Sequence, residues 1–240
     1  LQKVYHTGDA SVDFHPLHPS PGEVDLKEGE PEPSPPPISH TLLMTEVVYN
    51  ALYDEDVGEY YEFTNVSDKP IDISGFSIGD EETPHGGEGM FRFPEGTVID
   101  PYEVMVVGRN GAGLKQYYHV TPDFEFEDTL PDVPTMEPNT NWTDGMVKLT
   151  NTGDHALIFD RNMNIVDAVT WGNGAFPQVS PHPYVDNNGN AIERLSAEDT
   201  NNNAADFVDK FHESFKIRKH VILYVQSGQI ADRLHRKLRT

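Results

Sequence analysis

Residues 59–80 read EYYEFTNVSDKPIDISGFSIGD. Apolar and polar residues alternate through Tyr60–Val66, which places one side of a strand on a core. Asn65-Val66-Ser67-Asp68 then supplies turn chemistry, Pro70 fixes the exit from the turn, and Ile71 and Ile73 return to the interior. Gly75 stands where the chain must bend or approach another backbone closely. Strand, turn and returning strand within 22 residues set an antiparallel β pattern, and the flanking sequence repeats it.

Outward from this stretch the period-two pattern continues in LLMTEVVYN (42–50), MFRF (90–93), YEVMVVG (102–108), MVKLTN (146–151), HALIFD (155–160) and NIVDAVTWG (164–172). HGGEG, RNGAG and TGD punctuate these runs with turn residues. Short strands at such spacing predict an all-β sandwich or barrel with two long loop insertions, at roughly 80–89 and 110–145. No part of 42–208 shows helical periodicity. The stretch 155–172 reads as two strands across an Arg161-Asn162 turn, with Leu157, Phe159, Ile165, Val169 and Trp171 as core candidates. Asp167 either points outward or caps a turn.

Four ordered blocks carry a family resemblance. They are MTEVVYNALYDEDVGEYYEFTNVSDKPIDISGFSIGD (44–80), FPEGTVIDPYEVMVVG (93–108), VKLTNTGDHALIFDRNMNIVDAVTWG (147–172) and AIERLSAEDTNNNAADF (191–207). Together they resemble the lamin tail domain, over some 165 residues. The resemblance implies an all-β, immunoglobulin-like antiparallel β-sandwich that is not an enzyme. The nuclear scaffold and chromatin roles of lamins carry over poorly, because no heptad rod is present and the charge opposes DNA.

The domain organisation expected is a lamin-tail-like sandwich over 42–208, flanked by three other segments. Residues 27–41 are a Pro/Glu-rich linker, since KEGEPEPSPPPISH cannot build a core. Within 1–26, LQKVYHTGDASVDF matches IERLSAEDTNNNAADF at 192–207 with two residues deleted, pairing Lys3 with Arg194 and Asp13-Phe14 with Asp206-Phe207. One reading is the closing segment of a preceding lamin-tail-like repeat, which makes the chain a piece of a longer array. The alternatives are coincidence, or a segment that docks on this same domain. Residues 209–240 form a basic C-terminal extension, with eight of the 17 Lys and Arg residues in 210–240. It is either an electrostatic clasp on the acidic domain or an appended tail.

Forty acidic residues against 17 basic ones give a net charge of −23. That field repels phosphate backbones and anionic lipid, so neither nucleic acid nor membrane insertion is expected. No run reaches the roughly 18 apolar residues of a membrane span. There is no cysteine, which excludes disulfides, zinc-thiolate sites and a thiol nucleophile. The chain opens without methionine or a signal-like stretch and is read as a fragment of something larger.

No catalytic motif assembles: there is no Gly-x-Ser-x-Gly elbow, no His-Glu-x-x-His and no phosphate-cradling loop. Calcium is the better chemical candidate, because Asp/Asn-rich loops offer the hard oxygen ligands it selects. The candidate ligands are Asp186, Asn188, Asp199, Asn201 and Asp206, against the plainer reading that such loops are tight turns. Aromatic residues give a third option. Tyr60, Tyr61, Tyr117, Tyr118, Trp142 and Tyr184 either line a protein- or carbohydrate-binding face or pack inside. The expected function is a binding, spacer or targeting module of a modular extracellular or cell-surface protein, next to neighbouring repeats. The alternative is an accessory domain of a secreted nuclease or phosphoesterase.

Overall fold

The phase of the hydrophobic pattern breaks inside the first strand, and that break explains its role. In β1 (Leu42–Asn50) the residues facing the main core are Leu42 and Met44, then Val47 and Tyr49. The switch from even to odd positions coincides with a register shift between Met44 and Glu46 against β2 (Tyr60–Asn65), which is a β-bulge at Thr45. The Thr45 hydroxyl donates to Glu62 at 2.8 Å, so the bulged residue is still satisfied. These are features of a computed structural model that describes residues 41–184 and 189–211.

The chain then runs through helix α1 (Glu55–Gly58), β2, β3 (Ile71–Asp72), β4 (Ser77–Gly79), β5 (Met90–Arg92), β6 (Val98–Ile99) and β7 (Val104–Asn110). Helix α2 (Gly111–Tyr117), β8 (Phe124–Glu127), β9 (Glu137–Pro138), β10 (Gly153–Phe159) and β11 (Ile165–Gly172) follow. The closing part is β12 (Asn190–Arg194), α3 (Asn203–Asp206) and β13 (Phe207–Phe211). One sheet has the order β13-β12-β1-β2-β7-β8, a second β11-β10-β4-β5-β9, and β3 pairs with β6. The pairings are antiparallel except β7 with β8, which is parallel.

The expected sandwich is therefore present. Its main core draws Tyr61, Phe63, Val107 and Ile192 from one sheet and Ile78, Phe91, Ile158, Val169 and Trp171 from the other. Tyr49 and Trp171 stack across the middle, ring centroids 4.7 Å apart. Of the core candidates on β10 and β11, Leu157, Phe159, Val169 and Trp171 are buried and Ile165 is partly so.

Both sheets also have covered outer faces, and residues of the 110–145 insertion take part in both covers. Val48, Tyr60, Val106 and Ala191 pack under Leu114 and Tyr118 on one side. Met90, Leu157, Phe159 and Ala168 pack with Trp142, Met163 and Phe176 on the other. Tyr60, Tyr61 and Tyr118 are accordingly interior residues and not a binding face.

Two expectations need correction. RNGAG was read as a turn, but Asn110 caps α2 by accepting the Gly113 N–H at 2.8 Å. Gly113 is required there because a Cβ would collide with the Val57 carbonyl oxygen. Residues 146–151 were expected to form a strand and do not. Val147 and Leu149 are buried, but the N–H groups of Lys148 and Leu149 are taken by the carboxylates of Asp80 at 2.7 Å and Glu59 at 3.3 Å. The segment satisfies its backbone on side chains instead of a ladder.

Candidate functional site

Three groups of polar side chains are candidates for chemistry: a buried arginine among aspartates, a buried acidic cluster, and an open cleft. The first forms because the hairpin β12–β13 ends the larger sheet and must be fastened to β1 and β11. Arg194 does this with a fully buried side chain. Its Nε donates to the Met44 carbonyl at 2.8 Å and its Nη1 to the Glu198 carbonyl at 3.0 Å. Nη2 lies 3.2 Å from Asp167, Nη1 lies 3.7 Å from both Asp199 and Asp206, and the guanidinium sits over the Phe207 ring at 4.5 Å. Asp167 also accepts the Met44 N–H at 2.6 Å. Burial pushes the Asp167 carboxyl up to about 6, against the pull of Arg194. Asp167 thus neither points outward nor caps a turn; it anchors the closing hairpin.

This is where the calcium candidates fall. Asp199 accepts the Asn201 N–H at 3.0 Å, and Asn201 takes a left-handed conformation with φ 57°. Asp206 accepts the Thr200 hydroxyl at 2.7 Å and the Thr200 N–H at 2.9 Å. Asp199 and Asp206 thus both face a built-in cation, Arg194. Asp186 and Asn188 lie outside the described residues. Among the described residues no group of three or more His, Asp or Glu is placed to hold a metal ion.

The second group lies where the 80–89 insertion and segment 146–150 meet the start of β2. Asp80, wholly buried, accepts the N–H groups of Gly89 at 2.8 Å and Lys148 at 2.7 Å. Asp154 accepts the Thr150 N–H at 2.6 Å. Glu59 is buried with Arg109 4.0 Å away. Desolvation raises Glu59 to about 9, Asp80 to about 7 and Glu88 to about 8, and mutual repulsion with neighbouring carboxylates adds to each. The buried Tyr61 hydroxyl, which feels Asp80, Asp154, Glu59 and Glu88, makes no hydrogen bond.

The third group is an open cleft of about 430 Å³ on the outer side of the smaller sheet. Arg92, at the end of β5, pairs with Ser77 on one side and Glu137 on the other. One guanidinium nitrogen of Arg92 donates to the Asn139 side chain, whose amide nitrogen reaches the Ser77 hydroxyl at 3.2 Å. Arg161, in the β10–β11 turn, donates to the Ser74 carbonyl and, at 2.7 Å, to Asp72. Trp142 forms another wall. Its indole N–H donates to the Glu81 carbonyl at 2.9 Å, its carbonyl accepts the His85 N–H at 2.7 Å, and its ring packs on Phe159. Both long insertions therefore serve this wall, one by contributing Trp142 and the other by anchoring it.

Of the four arginines among the described residues, Arg92 alone has no carboxylate partner. Arg109 pairs with Asp56 and Glu127, Arg161 with Asp72, and Arg194 with Asp167. Sequence reasoning singled out Trp142 but missed Arg92, Arg161 and Asn139. The available signal was scarcity, since residues 1–211 contain only these four arginines.

Residues 35–173 match the model of the Lamin Tail Domain. The match spans more than half of the chain, and the chain belongs to that family of immunoglobulin-like domains. Among solved structures, it is similar to the crystal structure of a DUF4876 family protein from Bacteroides thetaiotaomicron, with a TM-score of 0.55. That alignment has 16% identity and covers 71% of each chain, which shows likeness of fold. No curated protein matches. No helix among the described residues is long and apolar enough to cross a membrane.

Proposed function

We propose that this chain is a non-catalytic binding module of a modular extracellular or cell-surface protein, and that the Arg92–Arg161–Trp142 cleft is its ligand-facing surface. One observation carries the reading. In a chain of net charge −23, Arg92 is held by a neutral amide and has no carboxylate partner among the described residues, beside a second guanidinium and an indole. Convergent polar groups around a concave, partly aromatic wall are the usual form of a binding site. The spacer and array role is proposed with it. Segment 192–207, which residues 1–14 match with Lys3 against Arg194, runs from the end of β12 to the start of β13. This likeness in sequence supports reading residues 1–26 as the closing segment of a preceding repeat.

The test is a side-by-side screen of the full chain and its Arg92→Ala variant against saccharide and peptide libraries. Ligands retained by the parent and lost by the variant support the reading. Identical profiles overturn the cleft as the binding surface.

A further inference from the structure

We infer that the cleft takes a carboxylate-bearing saccharide, a uronic-acid unit of an acidic glycan, with Arg92 as the carboxylate receptor. The inference rests on the binding-module reading and names the ligand class of that same cleft.

The charge requirement comes first. Arg92 spends one of its two Nη2 hydrogens on Asn139, and the other Nη2 hydrogen leaves one bidentate fork for a carboxylate. Arg161 is held in place by the Ser74 carbonyl and Asp72 and lies across Gly75, whose φ of 71° keeps the backbone close and leaves no side chain between them. Both guanidiniums are therefore pre-positioned, which lowers the ordering cost of binding. Glu95 lines the same cleft, and Asp72 stands beside Arg161. Arg161 is already paired with Asp72, so Arg92 is the guanidinium that can offset one added negative charge. A phosphate or a polyphosphate would bring more negative charge than the cleft offsets.

The neutral part of the ligand is set by the remaining walls. The Trp142 indole N–H is already used by Glu81, so the ring serves the cleft as an apolar surface. The side chain of Asn141, exposed at the cleft, adds amide donors and an acceptor. An aromatic surface bordered by amide and guanidinium donors suits a pyranose ring with its hydroxyls. A volume of about 430 Å³ falls toward the lower end of ligand sites. An acidic peptide is the rival occupant, and the local backbone disfavours it. The edge strand beside the cleft is β9, Glu137–Pro138. Pro138 has no N–H to offer an added strand, and so short an edge gives little ladder to extend.

The experiment is calorimetric titration of the full chain with oligogalacturonate, alginate oligomers and hyaluronate oligomers. Neutral galactan oligomers and hexaglutamate serve as controls. The expected result is binding of at least one uronate series, about tenfold or more weaker for Arg92→Ala and only partly rescued by Arg92→Lys. Arg92 is exposed, but its replacement leaves the buried Asn139 side-chain carbonyl without this donor, so a modest fall in melting temperature is expected, and a circular dichroism spectrum equal to the parent's shows that a loss of binding is local. Absence of uronate binding across the panel overturns the ligand class. If hexaglutamate or a library ligand is then bound in an Arg92-dependent way, the binding-module reading survives without the saccharide. If nothing depends on Arg92, both fall.

Discussion

The domain buries carboxylates in two places and treats them in opposite ways. Around Arg194, three aspartates share one guanidinium that is itself fully buried, and Asp167 rises only to about 6. Around Tyr61, Arg109 stands 4.0 Å from Glu59 and His155 3.5 Å from Asp154, and the carboxyls of Glu59, Asp80 and Glu88 rise to between about 7 and 9. A carboxylate removed from water needs either a cation or a proton. The closing hairpin supplies the cation. The 80–89 insertion instead relies on backbone N–H donors, such as Gly89 and Lys148 to Asp80, and on proton uptake.

The largest effect should follow from removing the cation. Arg194→Leu leaves Asp167 buried and unpaired and detaches the hairpin from β1, so a loss of about 3–5 kcal/mol is expected in urea unfolding. Arg194→Lys should fall between, keeping charge but losing the fork that reaches Met44, Glu198 and Asp167 together. A loss well under 1 kcal/mol for Arg194→Leu would erase the contrast between the two clusters.

The proton-dependent cluster gives the next largest effect, and its sign is fixed by linkage. A carboxyl with a raised folded-state pKa contributes most stability below its unfolded value of about 4. That contribution is lost as pH rises through the folded value. Here that window ends between about 7 and 9, so stability should fall from pH 6 to pH 9. Asp72 and Asp160, both lowered by hydrogen bonds, act at the acid end and leave this slope alone. Glu59→Gln keeps an acceptor for Leu149 and removes the ionisation. At pH 9 it should be more stable than the parent by at least about 1.4 kcal/mol, the worth of one pKa unit. Parallel pH curves for parent and variant would show that the cluster does not take up protons.

Smaller effects sharpen the comparison. With Arg194 already supplying a cation to Asp199 and Asp206, millimolar calcium and magnesium should shift the melting temperature alike, as general screening does. A calcium-specific rise that Asp199→Ala abolishes would instead make that loop a calcium site. The smallest stability effect is expected for Asp72→Asn, which removes the charge of a solvent-exposed ion pair to Arg161 but keeps an oxygen for the Ser74 N–H and hydroxyl. Its melting temperature should barely change, whereas affinity for a uronate should rise as a competing negative charge beside Arg161 is removed.

What the sequence by itself determined was the class of the fold and its family. Alternation in 59–66 and the short β-branched and aromatic runs at 104–108 and 155–171 predict strands, and the four ordered blocks place them in a lamin tail domain. Those signals are local, since period-two patterning and turn residues act over a few positions. Local reasoning failed where side chains from distant segments meet a backbone. Segment 146–150 alternates like a strand, but Asp80 and Glu59 take its N–H groups. Thr45 gives no sign of the bulge that rotates β1, because a bulge is a relation between two strands. Sequence left Tyr60 and Tyr118 open between a binding face and the interior, and α2, by covering the outer face of the larger sheet, places them inside. The four arginines look alike in sequence. Only the tertiary structure decides that Arg194 is buried among aspartates while Arg92 is left without one, because ion pairing depends on which strands become neighbours. The cleft is likewise legible only in three dimensions, since Ser74, Arg92, Asn139 and Arg161 come from four separate segments and share no spacing that a sequence motif could carry.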